Sequence, residues 1–355
     1  MRYKKLGNSE IDISLISLGA MTFGEQNSQN ESFQLMDYAV EKGINYFDTA
    51  EMYPVYPKKE TYGKSEEIIG DWLKIKKNRS KMIIGTKVAS NHPTGIGATK
   101  LSWVRGGGET LRFDKKNINS AIEGSLKRLK TDYIDIYQLH WPERKVGMFG
   151  QLDFEYDPND FWTPIEEVLE NLQHLIKSGK VRYVGLSNET PWGILNFLKI
   201  AEQKNLPRVM SVQNCYNLLN RVYDIANSEV SIRENCGLLA YSPLAGGRLS
   251  GKYMSGNRPE NCRYTMWPGR FSRHLTERGE LAVTKYVKLA KKHNIEPCTL
   301  SNAFVISRPF VTSSIVGATS VRNLEENIKA LDLNLSNEIL KEIEQIHLSD
   351  PNPCV

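Results

Sequence analysis

The chain has 355 residues, of which 40% are hydrophobic and 25% are charged, with both signs mixed along its length. Its net charge of +5 is mild and forms no concentrated basic stripe, which argues against a nucleic-acid-binding protein. Five scattered cysteines form no CxxC pair, so we expect neither disulfides nor a metal site. Without a signal-peptide pattern or a long apolar run, the sequence favours a cytoplasmic protein with no membrane partner.

Short apolar runs alternate with amphipathic stretches along most of the chain. The apolar runs are predicted strands at 14–18, 45–47, 82–86, 134–139, 181–186, 209–212, 238–240 and 314–316. The stretches between them are predicted helices at 32–42, 65–73, 115–129, 164–178, 191–202, 225–234, 280–293 and 321–330. Near-continuous apolar strands that alternate with helices indicate parallel pairing. Eight such units are typical of one α/β barrel domain, here residues 1–355.

The remaining segments lie at the two ends and in three long loops. Residues 1–13 read as a β-hairpin before the barrel, 336–347 as an extra helix, and 348–355 as a loose tail. The loops at 89–114, 142–163 and 244–278 each follow a predicted strand. We therefore expect them at the C-terminal rim of the barrel, where they would shape a binding pocket.

Four polar residues lie at or just past the ends of three successive predicted strands: Asp48, Tyr53, Lys87 and His140. Parallel strand ends converge on one rim of a barrel, so these side chains could meet around one substrate. A tyrosine has a pKa near 10, which a neighbouring ammonium would lower, while a carboxylate would hold that ammonium in place. These four residue types predict that Tyr53 is the general acid and that Lys87 lowers the pKa of Tyr53. Asp48 would then be the partner of that lysine, and His140 a hydrogen-bond donor that orients a carbonyl.

Each of these residues also has an ordinary structural explanation. A single aspartate often caps a helix, a single lysine is usually solvated, and a buried tyrosine or histidine is usually a satisfied core group. Their joint placement after successive strands is what favours catalysis. A proton alone does not reduce a carbonyl, and because no side chain supplies a hydride, the reaction would need a cofactor.

Several segments resemble the aldo-keto reductases. Asp-Thr-Ala-Glu-Met-Tyr at 48–53, Thr-Lys-Val at 86–88 and Leu-His-Trp-Pro at 139–142 resemble the catalytic segments of that family. The segments at 185–188, 213–214, 240–244, 317–320 and 324–327 resemble its cofactor segments. The likeness runs from about residue 3 to residue 347 and is nearest to the bacterial Tas-type reductases. It implies a single (α/β)₈ TIM barrel that binds NADPH in extended form across the rim.

The resemblance also implies which residues bind the cofactor: Ala20, Met21, Gln26, Ser187, Asn188, Gln213, Tyr241, Ser242, Pro243, Leu244, Gly246, Gly247, Lys252, Arg263, Gly317, Thr319, Asn323, Glu326 and Asn327. In this assignment Tyr241 stacks on the nicotinamide and the two glycines let the backbone approach the pyrophosphate. Lys252 and Arg263 would hold the 2′-phosphate, although Arg258 could replace Arg263. Asn323 is shorter than the residue that relatives often carry there.

The implied activity is NADPH-dependent reduction of aldehydes or ketones to alcohols by a protein that is monomeric by default. The predicted substrate-pocket residues are Phe23, Tyr56, Trp141 and Tyr216. A second hypothesis is a regulatory, NADP(H)-binding subunit like the potassium-channel β-subunits, which share this barrel. A third is a phosphate-binding isomerase, in which the pairing of Lys87 with Tyr53 would have no clear role.

Overall fold

Eight short strands, buried along nearly their whole length, pair in parallel and close into a barrel. The computed structural model describes residues 1–91, 101, 103–107 and 110–355. The barrel strands are β3 (Ile16–Gly19), β4 (Tyr46–Asp48), β5 (Ile83–Val88), β6 (Ile134–Leu139), β7 (Val181–Ser187), β8 (Val209–Cys215), β9 (Gly237–Tyr241) and β10 (Val311–Val316). They neighbour one another in chain order, and β10 returns to pair with β3. The predicted TIM barrel is confirmed.

Helices surround the barrel in the described part of the chain. They are α1 (Gln29–Glu41), α2 (Lys64–Lys76), α3 (Lys115–Leu129), α4 (Ile165–Lys177), α5 (Pro191–Lys204), α6 (Val222–Ala226), α7 (Ser228–Arg233), α8 (Arg263–Met266), α9 (Glu277–Lys292), α10 (Pro297–Ser307), α11 (Val321–Ile328) and α12 (Asn337–Ser349). The sequence missed α10, which packs on β10. Because Leu300, Phe304 and their polar neighbours Ser301 and Asn302 are all buried, the helix shows no polar face from which a period could be read.

The N-terminal hairpin closes the bottom of the barrel. Strand β1 (Tyr3–Lys5) pairs antiparallel with β2 (Asp12–Ser14). Leu6 and Ile13 are fully buried there and belong to one cluster with Tyr46 of β4. The opposite end, where the strands finish, is therefore the end that receives the long loops.

The C-terminal tail is fixed against the rim, contrary to the loose tail that the sequence predicted. The Cys354 side chain is buried, and the backbone N–H of Cys354 donates to the Leu219 carbonyl at 3.2 Å. The Thr276 hydroxyl donates to the Pro353 carbonyl at 3.0 Å. These contacts join the tail to the loops after β8 and β9, a long-range arrangement that tail composition does not encode.

The loop after β5 is anchored by a buried ion pair. Arg105 donates to Glu51 at 2.6 Å and to the Asn117 side chain at 2.6 Å. Glu51 lies between Asp48 and Tyr53, so the same contact fixes the turn that carries the tyrosine. The parts of the predicted loop at 92–100, 102 and 108–109 lie outside the described residues.

Candidate active site

The four residues that the sequence singled out meet at the C-terminal rim. Asp48 ends β4, Lys87 lies near the end of β5, His140 follows β6, and Tyr53 lies in the loop after β4. The Lys87 ammonium donates to Asp48 Oδ2 at 2.6 Å and lies 5.0 Å from the centroid of the Tyr53 ring. The rings of Tyr53 and His140 meet edge to face with centroids 5.6 Å apart. The phenol, ammonium, carboxylate and imidazole therefore form one cluster.

The Asp48 carboxylate is held from four sides. Besides Lys87 on Oδ2, its Oδ1 accepts hydrogen bonds from the Tyr46 hydroxyl at 3.0 Å, Gln138 Nε2 at 3.2 Å and Gln213 Nε2 at 2.8 Å. Lys87 donates a second bond to the Thr49 carbonyl at 2.7 Å. A buried ion pair is tolerated when its remaining polar atoms are also satisfied, as these are. The hydrogen bonds therefore hold the Lys87–Asp48 ion pair in a fixed position next to Tyr53.

Burial controls protonation in this cluster. It raises the pKa of Tyr53 well above its usual range, and Asp48 adds to that rise. This is opposite to the lowered tyrosine pKa that the sequence predicted, because desolvation of the phenolate dominates. Burial also lowers the pKa of Lys87, whereas Asp48 acts to raise it. Tyr53 is consequently a protonated phenol near neutral pH, ready to donate rather than already ionised.

His140 is a neutral imidazole at neutral pH. Burial, with a smaller effect of the Lys87 charge, lowers the pKa of His140 well below its usual range. A neutral ring carries one N–H, so it can donate one hydrogen bond. Its Nδ1 is buried and has no partner among the described residues. The ring therefore has hydrogen-bonding capacity left for a bound molecule.

A cavity of about 820 Å³ opens above this cluster. Asp48, Tyr53 and His140 line it, whereas Lys87 is fully buried behind them. The predicted cofactor residues that line it are Met21, Gln26, Ser187, Asn188, Gln213, Tyr241, Ser242, Pro243, Leu244, Gly246, Gly247, Lys252, Arg263, Gly317, Thr319, Asn323, Glu326 and Asn327. Ala20 does not line it, because its side chain is fully buried.

The end of the cavity at the catalytic cluster is preorganised by amide and hydroxyl groups. Asn188 donates to the His140 carbonyl at 2.9 Å and accepts from the Tyr241 hydroxyl at 2.7 Å. Ser187 donates to the Gln213 carbonyl at 2.8 Å. Asn188 has a left-handed backbone, φ 53°, which asparagine tolerates better than most residues. These bonds tie the ends of β6, β7, β8 and β9 into one platform.

The middle of the cavity is built by a glycine turn. Gly246 and Gly247 have φ of 67° and 93°, a region that disfavours other residues. A Cβ at Gly247 would lie 3.1 Å from the Lys252 side chain, and one at Gly246 would collide with the Tyr264 hydroxyl. Glycine at both positions therefore leaves backbone exposed toward the cavity, as anion-binding turns require.

The far end of the cavity lies at the start of α11. Ser320 caps this helix by accepting from the Asn323 backbone, and Asn323 donates to the Thr319 hydroxyl at 3.1 Å. The Lys252 charge lies close enough to act on the pKa of Cys298, which lines the cavity together with Glu326. Arg263 instead lies close enough to act on the pKa of Tyr53. Both cations also border the glycine turn, since a Cβ at Gly246 would lie 3.5 Å from the Arg263 guanidinium and one at Gly247 would lie 3.4 Å from the Lys252 ammonium.

The predicted substrate residues are only partly brought to the cavity. Tyr56 and Trp141 line it. Phe23 is fully buried in the core instead, and Tyr216 stacks on Phe304 with its hydroxyl bonded to Asp224 at 2.8 Å. Both follow predicted strands, but their side chains turn toward the barrel wall rather than the rim.

The walls also contain residues outside the cofactor and substrate sets assigned from the sequence, although Phe149 and Phe271 are among the loop aromatics that could line a pocket. The most prominent belong to one segment of the long loop after β9: Gly269, Arg270, Phe271, Ser272 and Arg273. Phe149, from the loop after β6, faces the same space. The loops at 142–163 and 244–278 are rich in aromatic residues, and this composition indicated that the loops could cover a pocket. The spacing of Arg270 and Arg273 in the sequence does not indicate that these two side chains point into the cavity.

A parallel barrel with an acid, an ammonium, a carboxylate and an imidazole on one rim is the arrangement of a barrel oxidoreductase. The Aldo/keto reductase family matches residues 15–348, and the chain belongs to that family. It is 41% identical over 350 residues to Protein tas of Escherichia coli (strain K12), covering 98% of each chain. The family supports an oxidoreductase activity on small carbonyl compounds with a nicotinamide cofactor.

Two further relatives span nearly the whole chain. The uncharacterized oxidoreductase YrpG of Bacillus subtilis (strain 168) is 30% identical over 348 residues, 98% of this chain and 96% of its own. A probable voltage-gated potassium channel subunit beta of Oryza sativa subsp. japonica is 30% identical over 359 residues, 99% and 98% of the two chains. Among the described residues, no helix is long and apolar enough to cross a membrane.

Proposed function

We propose that this protein reduces aldehyde or ketone carbonyls to alcohols, with NADPH as cofactor and Tyr53 as the proton donor. One observation carries the proposal. Tyr53 stands over the Lys87–Asp48 ion pair and against His140 at the inner end of a cavity of about 820 Å³. This arrangement joins a protonated acid, a cation that can stabilise its conjugate base, and a neutral hydrogen-bond donor.

The cavity fits an extended nicotinamide dinucleotide. Its volume of about 820 Å³ is that of a cofactor-sized site. The unpartnered Nδ1 of His140 and the exposed backbone at Gly246 and Gly247 offer polar groups along its length. The platform of Asn188 and Gln213 would hold the carboxamide beneath Tyr241. When bound, the cofactor supplies a hydride, with its electron pair, to the carbonyl carbon.

The residues of the chain would complete the reduction at the oxygen. His140 donates a hydrogen bond to the carbonyl oxygen and fixes it near Tyr53. As the electrons of the C=O π bond move onto oxygen, the Tyr53 proton transfers to it and leaves a phenolate. The Lys87 ammonium stabilises that phenolate, since the cation gains most when a negative charge appears beside it. Asp48 keeps the ammonium charged and oriented.

The preference for NADPH would come mainly from Lys252. Its charge lies by Cys298 and Glu326, at the end of the cavity assigned to adenosine. Arg263 lies nearer the catalytic cluster, which suits the pyrophosphate. Arg258 donates to the adjacent Asn257 carbonyl and does not line the cavity. This supports Arg263 over Arg258 as the cofactor contact.

The test compares turnover with cofactor binding. Purified protein is assayed with NADPH and a panel of aldehydes and ketones, and NADPH binding is followed by quenching of tryptophan fluorescence. Tyr53→Phe should bind NADPH as the wild type does but lose at least about a hundredfold in kcat, because the acid is gone. Tyr223→Phe is the matched control, since its hydroxyl bonds to Ser231 on the outer helices. Wild-type turnover by Tyr53→Phe would contradict the proposal.

The relative named as a probable potassium channel subunit beta supports a second candidate, a regulatory NADP(H)-binding subunit. The two candidates differ in one measurable respect. A regulatory subunit would bind NADPH tightly yet oxidise it negligibly with every carbonyl in the panel. Turnover that depends on Tyr53 would instead favour the enzyme.

A further inference from the structure

We propose that the substrate carries a carboxylate, which Arg270 and Arg273 bind at the mouth of the cavity. This inference rests on the proposed reduction and specifies its substrate class. Both arginines belong to the segment 269–273, which lines the cavity along its length. They stand three residues apart, and both are among the residues that line the cavity.

The Arg270 guanidinium lies against the substrate side of the cavity, and the Arg273 guanidinium lies between the substrate side and the predicted cofactor residue Tyr241. The Arg270 guanidinium lies 4.0 Å from the centroid of the Tyr56 ring, in the loop that also carries Tyr53. The Arg273 guanidinium lies 5.6 Å from the Phe149 ring and 5.8 Å from the Tyr241 ring. Phe149 follows His140 along the same loop. Both cations therefore line the cavity next to the loops that follow β4 and β6, which carry Tyr53 and His140.

Neither arginine is neutralised by the protein in the described ranges. There, neither forms an ion pair with a carboxylate, whereas Arg105 and Arg144 in neighbouring loops pair with Glu51 and Glu189. Arginine stays protonated in proteins, so both cations remain charged. Stacking on Tyr56 occupies one face of the Arg270 guanidinium and leaves the N–H groups on its edges for a planar anion, whereas Arg273 also hydrogen-bonds to the Tyr241 side chain.

The acidic groups on the cavity wall do not offset these charges. Asp48 is bound to Lys87 at 2.6 Å, and Glu326 is bound to Lys329 at 2.7 Å. Glu326 also lies at the far end, beside Lys252. The opening near the catalytic cluster is therefore positive, and a carbonyl compound with a carboxylate a few carbons away would satisfy it.

The cofactor phosphates have other partners. The turn at Gly246 and Gly247 and the cations Lys252 and Arg263 line the wall between the ends of β9 and β10. Arg270, by contrast, contacts the loop after β4 on the other side of the opening. Arg273 contributes an additional bond from Nε to His274 Nε2 at 3.3 Å, which fixes its orientation.

The test uses matched ligand pairs. Turnover of an aldehyde that bears a carboxylate is compared with turnover of its primary amide of the same length. We expect the wild type to favour the carboxylate at least tenfold in kcat/KM. Arg270→Gln should remove that preference through a higher KM, with kcat and the turnover of the amide within twofold of the wild type. Arg258→Gln is the control, because Arg258 lies outside the cavity lining.

Binding separates this inference from the proposed reduction. A short aliphatic carboxylate and its amide are titrated by calorimetry into protein saturated with NADP⁺. Tenfold tighter carboxylate binding that is lost in Arg270→Gln supports the inference even if no carbonyl is turned over. Equal binding of the two ligands, an equal loss for both, weaker NADP⁺ binding in Arg270→Gln, or a preference for a phosphorylated aldehyde over the carboxylate would overturn it.

Discussion

Replacing Lys87 with methionine tests the catalytic cluster most directly. Methionine has nearly the same length but no charge, so the change leaves Asp48 buried without its cation. Asp48 keeps three neutral donors, from Tyr46, Gln138 and Gln213. Breaking a buried ion pair from one side costs about 3–5 kcal/mol. This is a large part of the roughly 5–15 kcal/mol that holds a typical domain together, so unfolding should begin at clearly lower denaturant concentration.

The effect on turnover has a separate physical cause. Without the ammonium, the Tyr53 phenolate loses the cation beside it and keeps only the weaker effect of Arg263, while burial already disfavours its formation. General-acid contributions are about 10²- to 10⁴-fold, and we expect a loss in kcat within that range. NADPH binding should change little, because Lys87 is hidden behind the cavity wall. Lys204→Met, which removes an exposed partner of Glu166, should leave both stability and turnover unchanged.

A double variant separates folding from chemistry. Asp48→Asn combined with Lys87→Met removes both charges while an amide replaces the carboxylate among the same donors. Stability should recover by about 1–3 kcal/mol relative to Lys87→Met alone, whereas turnover should not recover. Stability is measured by urea denaturation and turnover by loss of NADPH absorbance. Turnover at the wild-type rate in Lys87→Met, or restored turnover in the double variant, would refute the assigned roles.

Two further predictions follow from the charges around the cavity. Lys252→Ala should raise the KM for NADPH about tenfold and leave that for NADH within twofold; an unchanged ratio would place the 2′-phosphate elsewhere. Burial holds the pKa values of His140 and His274 well below their usual range. Below about pH 6.5 the unfolded chain therefore binds protons that the folded chain does not. As the pH is lowered further, the free energy of unfolding falls by up to about 1.4 kcal/mol per pH unit for each histidine. His140→Asn should flatten that fall in urea titrations between about pH 7 and pH 5; an unchanged slope would contradict a buried neutral ring.

The sequence predicted the fold well wherever strands and helices had contrasting faces. The eight barrel strands and the hairpin read clearly because their apolar runs are short and end in polar residues. Helix α10 did not, because both its apolar and its polar residues are buried and its period is hidden. The tail failed for a different reason: Cys354 is fixed by Leu219 and Thr276, contacts that depend on the closed barrel.

The same distinction applies to the site. Asp48 and Lys87 belong to strands, and His140 directly follows one, so strand register alone brings these three residues to one rim. Tyr53 lies only five residues after Asp48, so it is also held near that rim. The direction of a side chain just past a strand is set by loop packing, which is why Phe23 and Tyr216 turned inward against expectation. Arg270 and Arg273 lie far along a loop whose path no local pattern specifies. Their place at the opening emerges only with the tertiary structure.

The raised pKa of Tyr53 changes how the acid should be understood. An acid whose pKa lay below the ambient pH would lose its proton before a substrate arrived and would then repel the developing oxyanion. Burial instead keeps the phenol protonated, and Lys87 contributes little until charge develops on the substrate oxygen. In the proposed mechanism the ammonium, which lies 2.6 Å from Asp48, would then stabilise the phenolate that proton transfer creates. Under the proposed mechanism, the cluster would hold its proton in the resting protein and release it only during hydride transfer.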